Sequence, residues 1–340
     1  MRDKQRTDLA ALLALVCAVV ALFLANKYLD DYKIRIINLS GIYVTLGLSM
    51  NLINGFTGLF SLGHAGFMAV GAYTVALLTM PISMKEMNFF FQPIVPWLAN
   101  VEVGFLPALL AAGLISAFLG VLIGAPVLRL RDDYLAIATL GFAEIIRVVF
   151  TNTQSLTNGA LGLKGIPNYT NIWWSWGVAF ITVWFVTSLI RGSYGKAFMA
   201  IREDEVAAQA MGINLFKHKV MSFAFASFFA GVAGGLLASL LGTIDPNMFR
   251  ITLTFNILLI VVLGGLSRIT GTVISAVVVT VMMEALRFLD ESINLGFIEI
   301  KGVPGMRMVV FSIILILVVI VRKAGLMTRL KGRESSYAEN

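Results

Sequence analysis

Charged residues are scarce in this chain: aspartate, glutamate, lysine and arginine together make up 13% of its 340 residues. A soluble globular domain carries about 25%. Hydrophobic residues reach 58% instead. The composition therefore excludes an ordinary soluble domain and predicts an all-α, polytopic membrane protein.

Residues that support redox or metal chemistry are also rare. The single cysteine, Cys17, lies in an apolar run, so no intrachain disulfide is possible. A zinc site needs several ligands close together, and His64 has no second histidine or cysteine near it in the sequence. We therefore expect no metal site, and we interpret His64 as a packed histidine bonded to a backbone carbonyl.

Motifs for bond-breaking chemistry are missing as well. The chain has no GxxxxGK[ST] loop that would hold the phosphates of ATP. It also has no HExxH or GxSxG motif. We expect no catalytic residue and no cofactor in this chain, so energy must come from a partner or from an ion gradient.

An excess of basic residues gives the chain a net charge of +7. In a soluble protein this excess would suggest nucleic-acid binding. In a membrane protein the enrichment of lysine and arginine on cytoplasmic segments explains it more simply. The expected surroundings are therefore a lipid bilayer, with no nucleic acid.

Apolar segments long enough to cross a bilayer recur along the whole sequence, which we interpret as one membrane domain over residues 1–340. The first could be a signal peptide, but it lacks a convincing cleavage site, which favours a retained anchor. The shortest, 253–266, is expected to be tilted, discontinuous or differently bounded. The candidate spans number about ten: 9–26, 34–53, 59–80, 104–128, 134–151, 172–190, 220–242, 253–266, 271–288 and 305–321.

The distribution of charges and tryptophans predicts an orientation. With both termini in the cytoplasm, the predicted inner segments carry more than twice as many basic residues as the outer ones. Tryptophan favours the headgroup level, and four tryptophans fall at the predicted outer face. They are Trp97, Trp173, Trp174 and Trp176.

Glycine is dense between Gly47 and Tyr73, and Gly55, Gly58 and Gly63 are expected to break a helix there. Irregular backbone at membrane depth is tolerated where it lines a cavity, so one interpretation is a broken helix beside a translocation pathway. The other interpretation is tight helix packing followed by a tight turn. Under the first, four polar side chains face the pathway: Asn51, Asn54, Ser61 and His64.

Two pairs of opposite charges lie one helical turn apart within predicted spans: Glu144 with Arg147, and Glu284 with Arg287. Charges at membrane depth are costly, so each pair is expected to form an ion pair. A proton or ion relay is the alternative, although a relay would normally place charges on several helices.

A long polar segment, Arg202 to Lys219, interrupts the apolar pattern and must face water. Its composition predicts a helix with acidic residues in the first turn and a stop at Gly212 and Asn214. A short apolar stripe on that helix suits docking into a groove of a soluble partner. The stripe consists of Val206, Ala207, Ala210 and Met211.

Three blocks of the sequence resemble permease subunits of ABC importers for branched-chain amino acids, of the LivM type. They are NLINGFTGLFSLGHAGFMAVGAY (Asn51 to Tyr73), LRLRDDYLAIATLGFAEIIR with LTNGALGLKGIP (Leu128 to Arg147, Leu156 to Pro167), and GKAFMAIREDEVAAQAMGIN (Gly195 to Asn214). The resemblance extends over nearly the whole chain. Two positions depart from the family pattern: Lys164, where a small or hydroxyl residue is common, and Lys323-Ala324, where Arg-Pro is frequent.

The resemblance implies a subunit of a larger complex in a bacterial inner membrane. Its partners would be two ATPase subunits that bind ATP, a second LivH-like permease, and a periplasmic or lipid-anchored substrate-binding protein. Within the loop 191–219, the family's cytoplasmic coupling segment docks on the ATPase. The residues matched to it are Arg202, Glu203, Asp204, Glu205, Met211 and Gly212.

Alternatives remain open from the sequence. A permease of the same family for urea or short amides fits the same motifs. An ion-coupled secondary carrier fits the composition, and a membrane-embedded enzyme fits it less well because the catalytic motifs are missing.

Overall fold

A computed structural model of the chain describes residues 19–129 and 132–289, together with a few positions between 293 and 313. Cys17, the N-terminal part of the predicted span 9–26 and most of the predicted span 305–321 lie outside the described residues. The helices are α1 (Val19–Tyr28), α2 (Asp31–Asn51), α3 (His64–Thr79), α4 (Ile82–Asn88), α5 (Pro96–Ala99), α6 (Phe105–Val127), α7 (Asp132–Asn152), α8 (Gln154–Thr157), α9 (Ile172–Arg191), α10 (Ser193–Glu203), α11 (Glu205–Ala210), α12 (Leu215–Leu241), α13 (Ile251–Gly264) and α14 (Ile269–Ala285).

Short non-α elements connect these helices. Two antiparallel pairs of very short strands occur in the described part of the chain: β1 (Leu163–Lys164) with β2 (Thr243–Ile244), and β3 (Ile293–Asn294) with β4 (Glu299–Ile300). A π-turn and three 3₁₀ turns complete the set, at Leu52–Phe56, Gly159–Leu161, Pro246–Phe249 and Leu286–Leu289.

Apolar helices make up most of the described structure. Each coincides with a predicted span, so the prediction of an all-α polytopic membrane protein is confirmed. Those long and apolar enough to cross a bilayer are Asp31–Phe56, Phe105–Val127, Tyr134–Asn152, Ile172–Arg191 and Leu215–Leu241. The shorter apolar helices are Val19–Tyr28, His64–Thr79, Ile251–Gly264 and Ile269–Ala285.

The predicted span 253–266 corresponds to α13, which has 14 residues. At 1.5 Å per residue it is about 21 Å long, less than the hydrocarbon thickness of about 30 Å. The chain turns back at once into α14, with the backbones of Gly264 and Gly271 in close approach. This segment is therefore half of a tight helical hairpin and is too short to cross the core alone.

The centre of the fold is α12, which packs against α3 and α6. A Cβ atom added to Gly71 would lie 1.9 Å from the backbone oxygen of Gly231, and one added to Gly234 would lie 2.1 Å from that of Met68. Small residues at these positions let the helix backbones touch, which is how helices associate in a bilayer without a strong hydrophobic drive.

The predicted break after α2 is present. The helix passes into the π-turn Leu52–Phe56, residues 57–63 are irregular, and α3 begins at His64. Gly58 adopts a φ of +77°, and a Cβ there would lie 2.6 Å from Cγ of Arg202. Only glycine fits this position, because both the backbone conformation and the neighbouring side chain exclude a larger residue.

The prediction of a short helix that stops at Gly212 and Asn214 is confirmed by α11 (Glu205–Ala210). The start of the helix differs from the prediction, because only one acidic residue, Glu205, lies in its first turn. Arg202 and Glu203 end α10, Asp204 is extended and caps α11, and Gly212 turns the chain with a φ of +81°. Lys217 to Lys219 already belong to α12, which Asn214 caps. The asparagine and aspartate side chains accept hydrogen bonds from the first amides of the next helix, and this local capping divides the segment.

Candidate functional site

The segment predicted to contact an ATPase is anchored by its first helix. We keep the name coupling segment for the part of the predicted loop 191–219 that forms α10, α11 and the turn to α12, residues 193–214. Phe198 and Ile201 of α10 are buried. A Cβ on Gly195 would lie 2.3 Å from the backbone of Ile190 at the end of α9. α10 is therefore packed closely against the end of α9. Because α10 is fixed in this way, it also fixes the start of α11.

The second helix, α11, presents an uncovered apolar face. Val206 is 78% exposed and Met211 is 83% exposed, while Ala208 on the opposite face is buried. Ala207 and Ala210 complete the exposed stripe. The predicted stripe thus forms on α11 and on Met211, the residue that follows the helix.

Polar contacts fix the orientation of α11. The Asp204 side chain accepts hydrogen bonds from the amides of Val206 (2.8 Å) and Ala207 (3.0 Å). Lys219, which is buried near the start of α12, donates to a carboxylate oxygen of Glu205. These contacts hold a helix of six residues that would not be stable alone.

Arg202 connects the coupling segment to the membrane helices. Its guanidinium donates to the backbone oxygen of Gly55 in the π-turn (3.3 Å) and to the hydroxyl of Ser267 in the turn between α13 and α14. Ser267 Oγ donates to the same Gly55 oxygen at 2.7 Å. Glu203 holds the other side of the guanidinium through an ion pair. Three parts of the chain therefore meet at one arginine.

Asn51 extends this network into the membrane domain. Its Nδ2 donates to Thr272 Oγ1 at 2.7 Å, and its Oδ1 accepts from the amide of Ser267 at 2.9 Å. The side chain thus joins the end of α2 to the start of α14. We call the connected set Arg202, Gly55, Ser267, Asn51 and Thr272 the coupling network.

Asn54 and Ser61 close the irregular loop on itself. The amide of Ser61 donates to Asn54 Oδ1, and Asn54 Nδ2 donates to the carbonyl of Ser61, each at 3.3 Å. His64 Nε2 lies 3.1 Å from Ser49 Oγ, so the expected partner, a backbone carbonyl, is replaced by a hydroxyl. His64 Nδ1 has no hydrogen-bond partner among the described residues.

All four predicted pathway residues are buried in this conformation. Asn54 and Ser61 bond each other, whereas Asn51 and His64 have separate partners. Their contacts stabilise the helix break, and their exposure to a pathway stays a prediction. No local pattern pointed to the parts played by Ser267 and Thr272, because they lie more than 200 residues from Asn51.

A cleft of about 820 Å³ separates the coupling segment from the loop after the π-turn and from the end of α6. Its walls carry charges of both signs, including Arg129, Arg202 and Glu205. The Arg129 guanidinium lies 5.5 Å from the centre of the Phe216 ring, a cation–π contact. The cleft is large enough for a projecting side chain beside the exposed face of α11.

Both predicted ion pairs form. Arg147 Nε donates to Glu144 Oε1 at 2.8 Å, and Arg287 Nη1 donates to Glu284 Oε1 at 3.2 Å. Glu284 also accepts from the hydroxyl of Tyr32 at 2.9 Å. Pairing is therefore confirmed for both, and a relay is not needed to explain either charge.

The sequence of the chain matches a family of known proteins. Residues 32–319 match the family described as branched-chain amino acid transport system, permease component. The high-affinity branched-chain amino acid transport permease LivM of Salmonella typhimurium is 34% identical over 322 residues, covering 85% of this chain and 70% of the relative. The corresponding LivM protein of Escherichia coli is 33% identical over the same shares.

More distant relatives carry other solutes in their names. The ribose import permease RbsC of Haemophilus influenzae is 24% identical, over 85% of this chain and 87% of the relative. No solved structure matches the chain. The match over most of the sequence shows that this chain belongs to the family of permease components of branched-chain amino acid transport systems.

Proposed function

We propose that this chain is the membrane-spanning subunit of an ABC importer that moves leucine, isoleucine and valine inward, using ATP hydrolysed by separate subunits. The similarity to the two LivM proteins over 85% of the chain supports this substrate class. The observation that carries the coupling role is the exposed stripe on α11, since Val206 and Met211 leave an apolar surface on a helix that is firmly held.

The complex that we propose has two ATPases, this chain, a second permease similar to LivH and a separate substrate-binding protein. The chain forms one domain in a bacterial inner membrane, with both termini and the coupling segment in the cytoplasm. The excess of basic residues on that side supports the orientation. The binding protein delivers the solute to the opposite face, and it is periplasmic or lipid-anchored.

The proposed mechanism requires no covalent step in this chain. ATP binding changes the spacing of the two ATPases, and α11, seated in a groove of one of them, moves with it. The coupling network passes this movement from Arg202 to the π-turn of α2. The helix bundle has two arrangements, and ATP binding to the ATPases shifts the equilibrium between them.

The importer is distinguished from an ion-coupled carrier by the requirement for partners. Proteoliposomes that contain only this chain, given a proton or sodium gradient, are expected to import no leucine. Import by the isolated chain would refute the proposed function. A permease for urea or short amides would instead show import of those solutes, and not of leucine, by the complete complex.

The docking role is tested by Met211→Glu in the complete complex. Placing a charge at the centre of an apolar contact is expected to reduce ATPase capture and leucine import about tenfold or more. Met87 is a suitable control because it is 73% exposed on α4, at the opposite predicted face. Met87→Glu is expected to retain the ATPase. Normal import by Met211→Glu would show that α11 is not the docking element.

A further inference from the structure

One candidate membrane helix, α7, is poorly covered by the rest of the chain. Only 17% of the residues in its most apolar stretch are buried, compared with 72% in the corresponding stretch of α12. The uncovered surface carries charge: the Glu144 side chain is 49% exposed and the Arg147 side chain is 20% exposed. Ionisable groups within membrane segments normally face the bundle interior or a water-filled cavity. This face of α7 is therefore unsuited to lipid.

Glu144 lies well inside the helix. It lies eight positions before the end of α7 at Asn152, a distance of about 12 Å along the axis. Under the proposed orientation this places the ion pair below the outer surface, on the side from which solute arrives.

A cavity opens beside the ion pair, between α7 and the start of α13. Its volume of about 400 Å³ falls within the range of roughly 300–1,000 Å³ that is common for small-molecule sites. Its walls combine charged and apolar side chains. The charged ones are Glu144, Arg147 and Arg250, and Leu140, Phe249 and Ile251 are among the apolar ones.

The two arginines of the cavity are held close to each other. Arg147 Nη1 and Arg250 Nη2 both donate to Asn247 Oδ1, at 3.4 Å and 2.9 Å. Glu144 forms an ion pair with Arg147, but no carboxylate of the described residues lies within 4 Å of Arg250. The cluster therefore has a net positive charge, and an anionic group near Arg250 would stabilise it.

Glu144 retains capacity for a cation. Both hydrogen bonds from Arg147 reach the same oxygen, Oε1. A carboxylate has two oxygens and can accept about four hydrogen bonds, so Oε2 can accept from an ammonium group. The cavity is thus lined by Glu144, which can accept from an ammonium group, by Arg250, which can donate to a carboxylate, and by apolar side chains.

We propose that this cavity is a transit site for a zwitterionic amino acid with an apolar side chain. Arg250 binds the substrate carboxylate, Glu144 Oε2 accepts from the substrate ammonium, and the apolar wall contacts the side chain. The site rests on the proposed function, because it refines how the same solute passes through the chain. In this proposal Glu144 and Arg147 do more than neutralise each other's charge, because Glu144 also binds the substrate.

The test uses the complete importer in proteoliposomes, with saturating leucine-loaded binding protein, and measures leucine imported per ATP hydrolysed. Arg250→Gln and Glu144→Gln are each expected to lower this ratio about tenfold or more, because each removes a charged hydrogen-bond partner. Arg250→Lys is expected to restore part of it. Lys33→Gln removes an ion pair with Asp30 at the start of α2 and is expected to leave the ratio unchanged.

The double exchange Glu144→Arg with Arg147→Glu separates recognition from structure. It keeps an ion pair on α7 but moves each charge, so the complex should assemble while import stays low. Normal import by the exchanged variant would show that only the pair matters, and the proposed site would be wrong.

Two other results would also overturn the site. The first is a normal ratio in both Arg250→Gln and Glu144→Gln. The second is loss of the companion permease from the purified Glu144→Gln complex, which would assign this face to subunit contact. Failure of the unmodified importer to move leucine would instead contradict the proposed function, so the two failures are distinguishable.

Discussion

Arg202 donates a hydrogen bond to the backbone oxygen of Gly55, 147 residues earlier in the chain. The first residue lies near the end of α10 of the coupling segment, and the second lies in the π-turn that ends α2. A π-turn leaves helical hydrogen bonds in an irregular pattern and often marks a functional position. The contact therefore joins the coupling segment, which is proposed to dock on the ATPase, to the point where the membrane helix α2 is broken.

Replacing Arg202 by glutamine is expected to uncouple ATP hydrolysis from import. The substitution removes the charged guanidinium, whose Nη1 donates to both Gly55 O and Ser267 Oγ while Nε and Nη2 hold Glu203, but it leaves the α11 stripe intact. We expect ATPase capture to persist while leucine imported per ATP falls about tenfold, within the usual range of coupling free energies.

Arg202→Lys should recover little of this loss, because a lysine ammonium lacks the planar fork that contacts Glu203 on one edge while it reaches Gly55 and Ser267 with Nη1. Arg191→Gln is the control, since Arg191 is an exposed arginine at the end of α9. An unchanged ratio of import to hydrolysis in Arg202→Gln would remove Arg202 from the coupling pathway.

Thr272 tests the deeper end of the coupling network. Its hydroxyl donates to the carbonyl of Arg268 and accepts from Asn51 Nδ2. Thr272→Val keeps the shape but leaves the buried Asn51 Nδ2 with only the weaker 3.4 Å contact to the carbonyl of Arg268. We expect a loss of about 1–3 kcal/mol in the free energy of unfolding, measured by thermal denaturation of the purified complex.

Thr280 provides a matched control for this substitution. It lies on the same helix, is buried, and donates its hydroxyl to the carbonyl four residues earlier, as Thr272 does. It has no counterpart to the Asn51 contact in the described structure. Thr280→Val should therefore be the milder change, and equal effects of the two substitutions would contradict the importance of the link.

The helices and the break were easier to predict from the sequence than the contacts between them. Long apolar runs specify membrane helices because hydrophobicity acts residue by residue, and Gly58 identified the irregular loop by its own conformational freedom. The short helix of the polar segment and its stop at Gly212 were predicted, but its start was not, because Asp204 caps α11 and leaves Glu203 at the end of α10. The joining of Asn51 to Thr272 depends on packing across 221 residues, which no local pattern encodes.

Asp204 is expected to determine the order of α11. Asp204→Ala removes the acceptor for the amides of Val206 and Ala207 and should destabilise the helix by about 0.5–2 kcal/mol. Amide hydrogen exchange is the direct measurement, with faster exchange expected at these two residues. Asp204→Asn retains a capping oxygen and should exchange nearly as slowly as the unmodified chain. Equal protection in Asp204→Ala would mean that other contacts, such as that of Lys219 with Glu205, order α11.

Gly71 tests whether close helix contact determines the stability of the bundle. A Cβ atom at this position would lie 1.9 Å from the backbone oxygen of Gly231, and backbone atoms cannot move aside as a flexible side chain can. Gly71→Ala is therefore expected to cost at least the roughly 1–3 kcal/mol that is typical of overpacking, measured by thermal denaturation and by the yield of assembled complex.

A Cβ added to Gly141, on the uncovered α7, would have no other side chain or helix within 4 Å among the described residues. Gly141→Ala is expected not to destabilise the chain, because no neighbouring group obstructs the added methyl and alanine is favoured over glycine inside a helix by about 0.5–1 kcal/mol. If Gly71→Ala were equally neutral, α3 and α12 would have to separate at little cost, and the contact between their backbones would not be what holds the centre of the fold together.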